Sequence, residues 1–222
     1  MPMPGGWSMS MAWMRMPGQT WLDAALAFLG MWLVMMAAMM LPALVPMLRR
    51  YREAVGGRGR PGLGRLTALA ASGYFVVWGL LGTIAFLVGS VLTQLEMQHP
   101  AMARLVPTFV GLFVVGAGAF QFSDWKARQL VCCRTAMASG DPLTADARVA
   151  WRCGVRFGIM CSRCCGNLMV ILLVAGVMDL QVMAGITAAI TVERLAPSGQ
   201  PAARSFGGIV VAVGLILLAR RM

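Results

Sequence analysis

The stretch LDAALAFLGMWLVMMAAMMLPALVPML, from Leu22 to Leu48, holds a single charged residue, Asp23. A helix that crosses the hydrocarbon core of a bilayer needs about 20 predominantly apolar residues, and this stretch exceeds that. Five further apolar blocks follow, at Leu66–Leu92, Leu105–Phe122, Val155–Val177, Leu180–Val192 and Phe206–Ala219. The first four blocks are long enough to span alone. The last two are shorter and are expected as packed members of a bundle. The predicted fold is therefore all-α, a polytopic membrane helical bundle with about six transmembrane helices. Small residues such as the Gly154/Gly158 pair, four apart, would let such helices approach closely.

Composition agrees with this reading. Hydrophobic residues make up 59% of the 222 and charged residues 12%, against roughly 45–50% and 25% in an ordinary globular domain. Disordered, collagenous and soluble nucleic-acid-binding classes are excluded. The net charge of +11 would suggest nucleic acid in a soluble protein, but here the excess sits between apolar blocks. Six arginines lie in Arg49–Arg65 and five basic residues in Ser123–Arg152. Basic loops stay on the cytoplasmic side, so these two loops are predicted to face the cytoplasm and both termini to lie outside. The lipid bilayer is the first expected partner, and nucleic acid is not one.

Residues 1–18 lack the basic start and continuous apolar core of a secretory signal. They are expected as a flexible Met-rich tail, with residues 19–222 forming one transmembrane domain. Six of the twenty methionines (Met1, Met3, Met9, Met11, Met14 and Met16) fall in this tail, where there is no core to fill.

Cysteine placement points to chemistry. Cys161, Cys164 and Cys165 lie within five residues, Cys132 and Cys133 are adjacent, and Cys153 stands between the groups. Clustered cysteines mean metal or redox chemistry more often than a disulfide framework. Residues three and four apart share a helix face, so the three thiols of the fourth block are expected to converge. Cys132 or Cys133 would be a further ligand or a cytoplasmic exit site, with an exposed loop cysteine of no role as the alternative. Arg156 and Arg163 beside the thiols are expected to face the bundle interior or a wet cavity, because an intramembrane arginine is expensive. In the first block, Met35, Met36, Met39 and Met40 recur at helical spacing. Thiolate and thioether are soft donors that favour Cu(I); packing is the alternative for the methionines. A single histidine, His99, excludes a bis-histidine haem within the chain. Glu193 beside Arg194 reads as an interfacial ion pair and Asp179 as part of a tight turn. No phosphate loop, nucleophile elbow or carboxylate pair is present, so conventional hydrolase and kinase chemistry has no support.

The run AMMLP (Ala38–Pro42), the segment Gly118–Arg134 with Gln121, Lys126, Cys133 and Arg134, and GIMCSRCCGNLM (Gly158–Met169) resemble a bacterial family. It is a domain-of-unknown-function family of predicted metal-binding integral membrane proteins. Gly176, Met178, Met183 and Glu193-Arg194 extend the likeness. The resemblance implies a helical inner-membrane protein whose metal candidates are Cys161, Cys164, Cys165 and Cys133. Two positions depart from the pattern: Gly166 stands where tryptophan is expected and Gln129 where an earlier cysteine is expected.

These readings combine into an inner-membrane protein that binds a soft metal ion, Cu(I) first and Zn as the alternative. It would move or deliver the ion through Met and Cys ligands, with a metallochaperone or metalloenzyme as partner and oligomerisation left open. Two other readings stand beside it, a membrane thiol–disulfide oxidoreductase and a non-catalytic subunit of a larger membrane complex.

Overall fold

The computed structural model describes residues 2–3, 7–8, 13, 15, 18–55, 62–135, 146–175, 179–196 and 199–219. A two-residue antiparallel pairing joins β1 (Pro2–Met3) to β2 (Trp7–Ser8). The rest of the regular structure is helical: α1 (Trp21–Ala54), α2 (Leu63–Gln98), α3 (Pro100–Phe120), α4 (Asp124–Thr135), α5 (Ala147–Ala175), α6 (Leu180–Leu195) and α7 (Gly199–Ala219).

Local chemistry explains several of the boundaries. Thr20 and Asp23 form a reciprocal capping box at the start of α1, satisfying two backbone N–H groups that have no intrahelical partner. Asp179 is no mere turn residue: its Oδ1 accepts from the backbone N–H of Gln181 and Val182 and caps α6. Gly62 enters α2 at φ +83°, a left-handed conformation that glycine adopts without steric cost. Pro42 and Pro46 lie inside α1, which continues through both.

Four helices, α1, α2, α5 and α7, are long and apolar enough to cross a membrane. A fifth crossing exists if α3 and α4, bent by 62° at residues 121–123, count as one. Against the expectation of about six, four or five spans qualify by length and composition among the described residues. α6 falls short because its 16 residues span only about 24 Å at 1.5 Å per residue, against about 30 Å of hydrocarbon. The segment expected as a cytoplasmic loop, Ser123–Arg152, contributes α4 and the start of α5 to the packed bundle.

Two tight helix pairs organise the molecule, α2 against α5 and α3 against α7. In the first, Gly154 sits on the backbone of Ala70, Gly158 on Tyr74 and Val77, and Gly73 on Trp151, so closely that a Cβ at any of the three would collide. In the second, Gly207 meets Gln121, Gly118 meets Val211, Gly214 meets Val115 and Gly111 meets Leu218. α7 therefore runs antiparallel to α3. Small residues at such contacts let backbones approach where no hydrophobic driving force separates one helix from lipid. Outward faces carry large apolar side chains, including Leu80, Ile84 and Leu87 on α2, Phe109 on α3 and Ile209 and Val213 on α7.

The main core lies between α1, α2, α5 and α6. At one end Trp13 and Trp32 pack on Phe28, with ring centroids 5.0 and 5.9 Å away, and Phe86 lies 5.3 Å from the same ring. The Trp32 indole donates to the Trp78 carbonyl at 2.9 Å, joining α1 to α2. Further along α1 the same core holds Met35, Met36, Met39, Met40 and Met47, and then the thiols of α5.

Candidate metal centre

Helix phase decides which thiols meet. At 100° per residue, Cys165 and Cys164 lie about 40° and 60° from Cys161 on opposite sides of it, so those two diverge by about 100° and meet different neighbours. The structure follows this phase. Cys161 Sγ and Cys165 Sγ are 3.8 Å apart, and both side chains are only 1% exposed. Cys165 Sγ donates to the Cys161 carbonyl at 2.9 Å, which fixes its rotamer over the preceding turn. Cys164 is also buried, but in a separate cluster with Leu130 of α4 and Ala203 of α7. The expected convergence of three thiols is a convergence of two.

The third sulfur comes from α1. Met40 Sδ lies 3.9 Å from Cys161 Sγ and is fully buried. Met35, Met36 and Met39 line the same core. From α2, the Tyr74 hydroxyl stands 3.0 Å from Cys161 Sγ, a hydrogen bond that the glycine contact of α2 with α5 makes reachable. At 3.8 and 3.9 Å, Cys161 Sγ is close enough to Cys165 Sγ and to Met40 Sδ that these sulfurs would be the ones to hold a soft ion. Among the described residues no three His, Cys, Asp or Glu side chains group as a metal site. The donor set here is two thiols and a thioether, a soft set suited to Cu(I) and poor for hard cations.

Of the other candidates, Cys132 is exposed on α4. The side chain of Cys133 lies outside the described residues, as do Met1, Met9, Met11, Met14 and Met16 of the tail; the backbone of Met3 forms part of β1. Arg156 and Arg163 do not face the interior. Both are exposed on the outer face of α5, and the guanidinium whose charge acts on Cys161 and Cys165 belongs to Arg194 of α6.

A second buried assembly lies next to this site. Lys126 Nζ forms an ion pair with Glu193 Oε2 at 2.9 Å, with side chains 1% and 3% exposed, and donates to the Cys164 carbonyl at 2.6 Å. Gln121 Nε2 donates to the other Glu193 oxygen at 2.9 Å. The ion pair expected between Glu193 and Arg194 is thus made with Lys126, a residue the sequence placed in a loop. The network ties the bend between α3 and α4 to the end of α6 and to the cysteine turn of α5.

A copper chaperone family model, PpoB2, matches residues 29–217. The chain belongs to the PpoB2 copper chaperone family. The match covers α1 from its third turn through nearly all of α7, and so includes every residue of the sulfur cluster and of the Lys126–Glu193 network. It makes the protein copper-related, where the resemblance in sequence implied only a metal. No curated protein and no solved structure matches the chain.

Tyr74, Lys126, Gln121, Glu193 and Arg194 are the residues that composition and spacing did not assign to the site. Apart from Tyr74, their one signal was membership of the motifs that resemble the family.

Proposed function

We propose that the protein is an inner-membrane Cu(I)-binding chaperone that takes the ion as cargo between Cys161, Cys165 and Met40 and hands it to a metalloenzyme or a second metallochaperone. The observation that carries this reading is the dry cluster of two thiols and a thioether, drawn from two helices within 4 Å, in a chain of a copper chaperone family. A structural zinc site prefers four ligands in a tetrahedron, and this cluster offers three. Reactive redox thiols are partly exposed, whereas these are buried, which favours the metal over disulfide exchange.

The bundle crosses the bilayer six times in this reading. α6, at 16 residues, is the short sixth crossing. The basic segments 49–65 and 123–152 face the cytoplasm, following the positive-inside rule, and both termini face outward. Copper enters at the Met-rich tail and passes the methionines of α1, from Met31 and Met35 to Met40. It then reaches the stronger thiolate donors.

The test is copper analysis of the full chain, purified in detergent and loaded with Cu(I) under reducing conditions. Wild type should hold one thiol-dependent copper, and the Cys161→Ser/Cys165→Ser variant should hold none. Equal copper in the two proteins would overturn the site.

A further inference from the structure

Cys161 Sγ meets Met40 Sδ at 3.9 Å, Cys165 Sγ at 3.8 Å and the Tyr74 hydroxyl at 3.0 Å. The first two neighbours are sulfurs that can share an ion. The third is an O–H group, and it comes from α2. Tyr74 is 3% exposed, and its ring meets Phe75 edge-on at 5.4 Å and Trp78 at 6.5 Å between centroids. Its backbone is held as closely: Gly73 packs on the Trp151 and Val155 backbone, and the Tyr74 carbonyl lies against Gly158, one turn before Cys161. The contact that fixes α2 on α5 therefore also fixes the reach from hydroxyl to sulfur. A phenylalanine would fill the same space, so packing explains the ring and leaves the hydroxyl over. Burying a hydroxyl is costly unless it is hydrogen-bonded, and here its partner is a candidate ligand.

We infer that Tyr74 is a positioning residue for copper: its hydroxyl donates to Cys161 Sγ in the loaded site, holding that sulfur toward Met40 and Cys165 and sharing its charge. The inference rests on the sulfur cluster being the ion's binding site. Between a thiol and a phenol either atom can donate. A metal binds thiolate rather than thiol. When Cu(I) enters, the S–H bonds of Cys161 and Cys165 break, two Cu–S bonds form, and two protons leave for the buffer. The direction of the Tyr74–Cys161 bond is then fixed, because a thiolate has no proton to give. Cys165 loses its bond to the Cys161 carbonyl at the same moment, since that bond uses the S–H proton. Two thiolates and a thioether around a monovalent ion carry one net negative charge, and buried charge needs hydrogen bonds. Tyr74 keeps its proton, and its bond strengthens as the acceptor becomes charged.

The test uses the full chain in detergent, loaded with Cu(I) under reducing conditions, as wild type, Tyr74→Phe, Tyr74→fluorotyrosine and Cys161→Ser/Cys165→Ser. Copper affinity is measured against a Cu(I) chelator, and the thiolate–copper charge-transfer band is read from the loaded-minus-unloaded ultraviolet spectrum. A hydrogen bond lowers the energy of the sulfur lone pair, so its loss moves the band to longer wavelength. Tyr74→Phe should still take one copper but bind it roughly tenfold more weakly, because a hydrogen bond to a charged acceptor is about twice as strong as a neutral one. Its band should move to longer wavelength. Fluorotyrosine is a stronger donor of nearly the same size and should move the band the opposite way, which a packing role would not do. A band that stays in place in Tyr74→Phe, whatever the affinity, overturns the inference and leaves the thiol site standing. Copper and a band that persist without both thiols overturn the site itself. Should Tyr74→Phe fail to fold, the fluorotyrosine protein decides: a band that does not move to shorter wavelength refutes the hydrogen bond.

Discussion

At the scale of single residues, Cys164 separates what the sequence could say from what it could not. A three-residue spacing puts Cys164 near the face of Cys161, and the clustering alone does not reveal that α7 and α4 occupy that side. Its side chain packs with Leu130 and Ala203, so Cys164→Ser should leave copper stoichiometry at the wild-type value in the metal analysis that Cys161→Ser and Cys165→Ser fail. Loss of copper in Cys164→Ser would restore the three-thiol site. Met40 was legible as a candidate, although packing explained it equally well until its sulfur was placed beside Cys161. The Lys126–Glu193 pair was not legible as a pair, because its members are 67 positions apart and one lies in a segment of low hydropathy. Lys126→Met should destabilise the chain by about 3–5 kcal/mol, since it leaves a carboxylate buried without its cation. A second change, Glu193→Leu, should recover much of that loss. Thermal unfolding in detergent measures both, and a near-zero effect of Lys126→Met would mean that Glu193 reaches water.

At the scale of elements, the apolar blocks located the helices but not their roles. α4 escaped notice because helix formers such as Ala127, Arg128, Gln129 and Leu130 have high propensity without high hydropathy. α7 starts at Gly199, seven residues before the apolar block, because an exposed Arg204 is tolerated near a helix end. The glycine spacing of the fourth block, in contrast, did foretell a close helix contact, and α2 is its partner. That contact holds Tyr74 against Cys161, so it links packing to the site. Gly154→Ala would drive a methyl group into the Ala70 backbone; overpacking of this kind costs typically 1–3 kcal/mol. The variant should lose stability of that size. It should also bind copper more weakly, although no ligand has changed. Full copper affinity in a destabilised Gly154→Ala protein would show that α1 and α5 hold the sulfurs without help from α2.

At the scale of the whole molecule, the tail and the aromatic end of the core bear on how copper arrives. Trp13 packs on Phe28 and fills the space left by Gly89, at the end of α1 that leads to Met31 and Met35. Trp13 is thereby anchored at the Trp21 end of α1, ahead of the methionine series, and the methionines at positions 1–11 precede that anchor in the chain. If they collect Cu(I), removing residues 1–12 while keeping Trp13 should slow copper delivery in cells at low external copper and leave it unchanged at high. The reasoning is mass action: a collecting site raises the local ion concentration without altering the affinity of the inner thiols, so the gain vanishes once the inner site is saturated. Copper bound by the purified truncated protein should match wild type for the same reason. Trp13→Ala should behave differently, because it opens a gap against Phe28; its primary effect should be on stability, about 3–5 kcal/mol for a well-packed aromatic and less for one that is half-buried. A delivery rate per molecule that ignores the truncation at every copper concentration would remove the tail from the copper path. The direction of transfer would then have to be argued from the thiol cluster alone, where thioether and thiolate donors still define a gradient from α1 to α5.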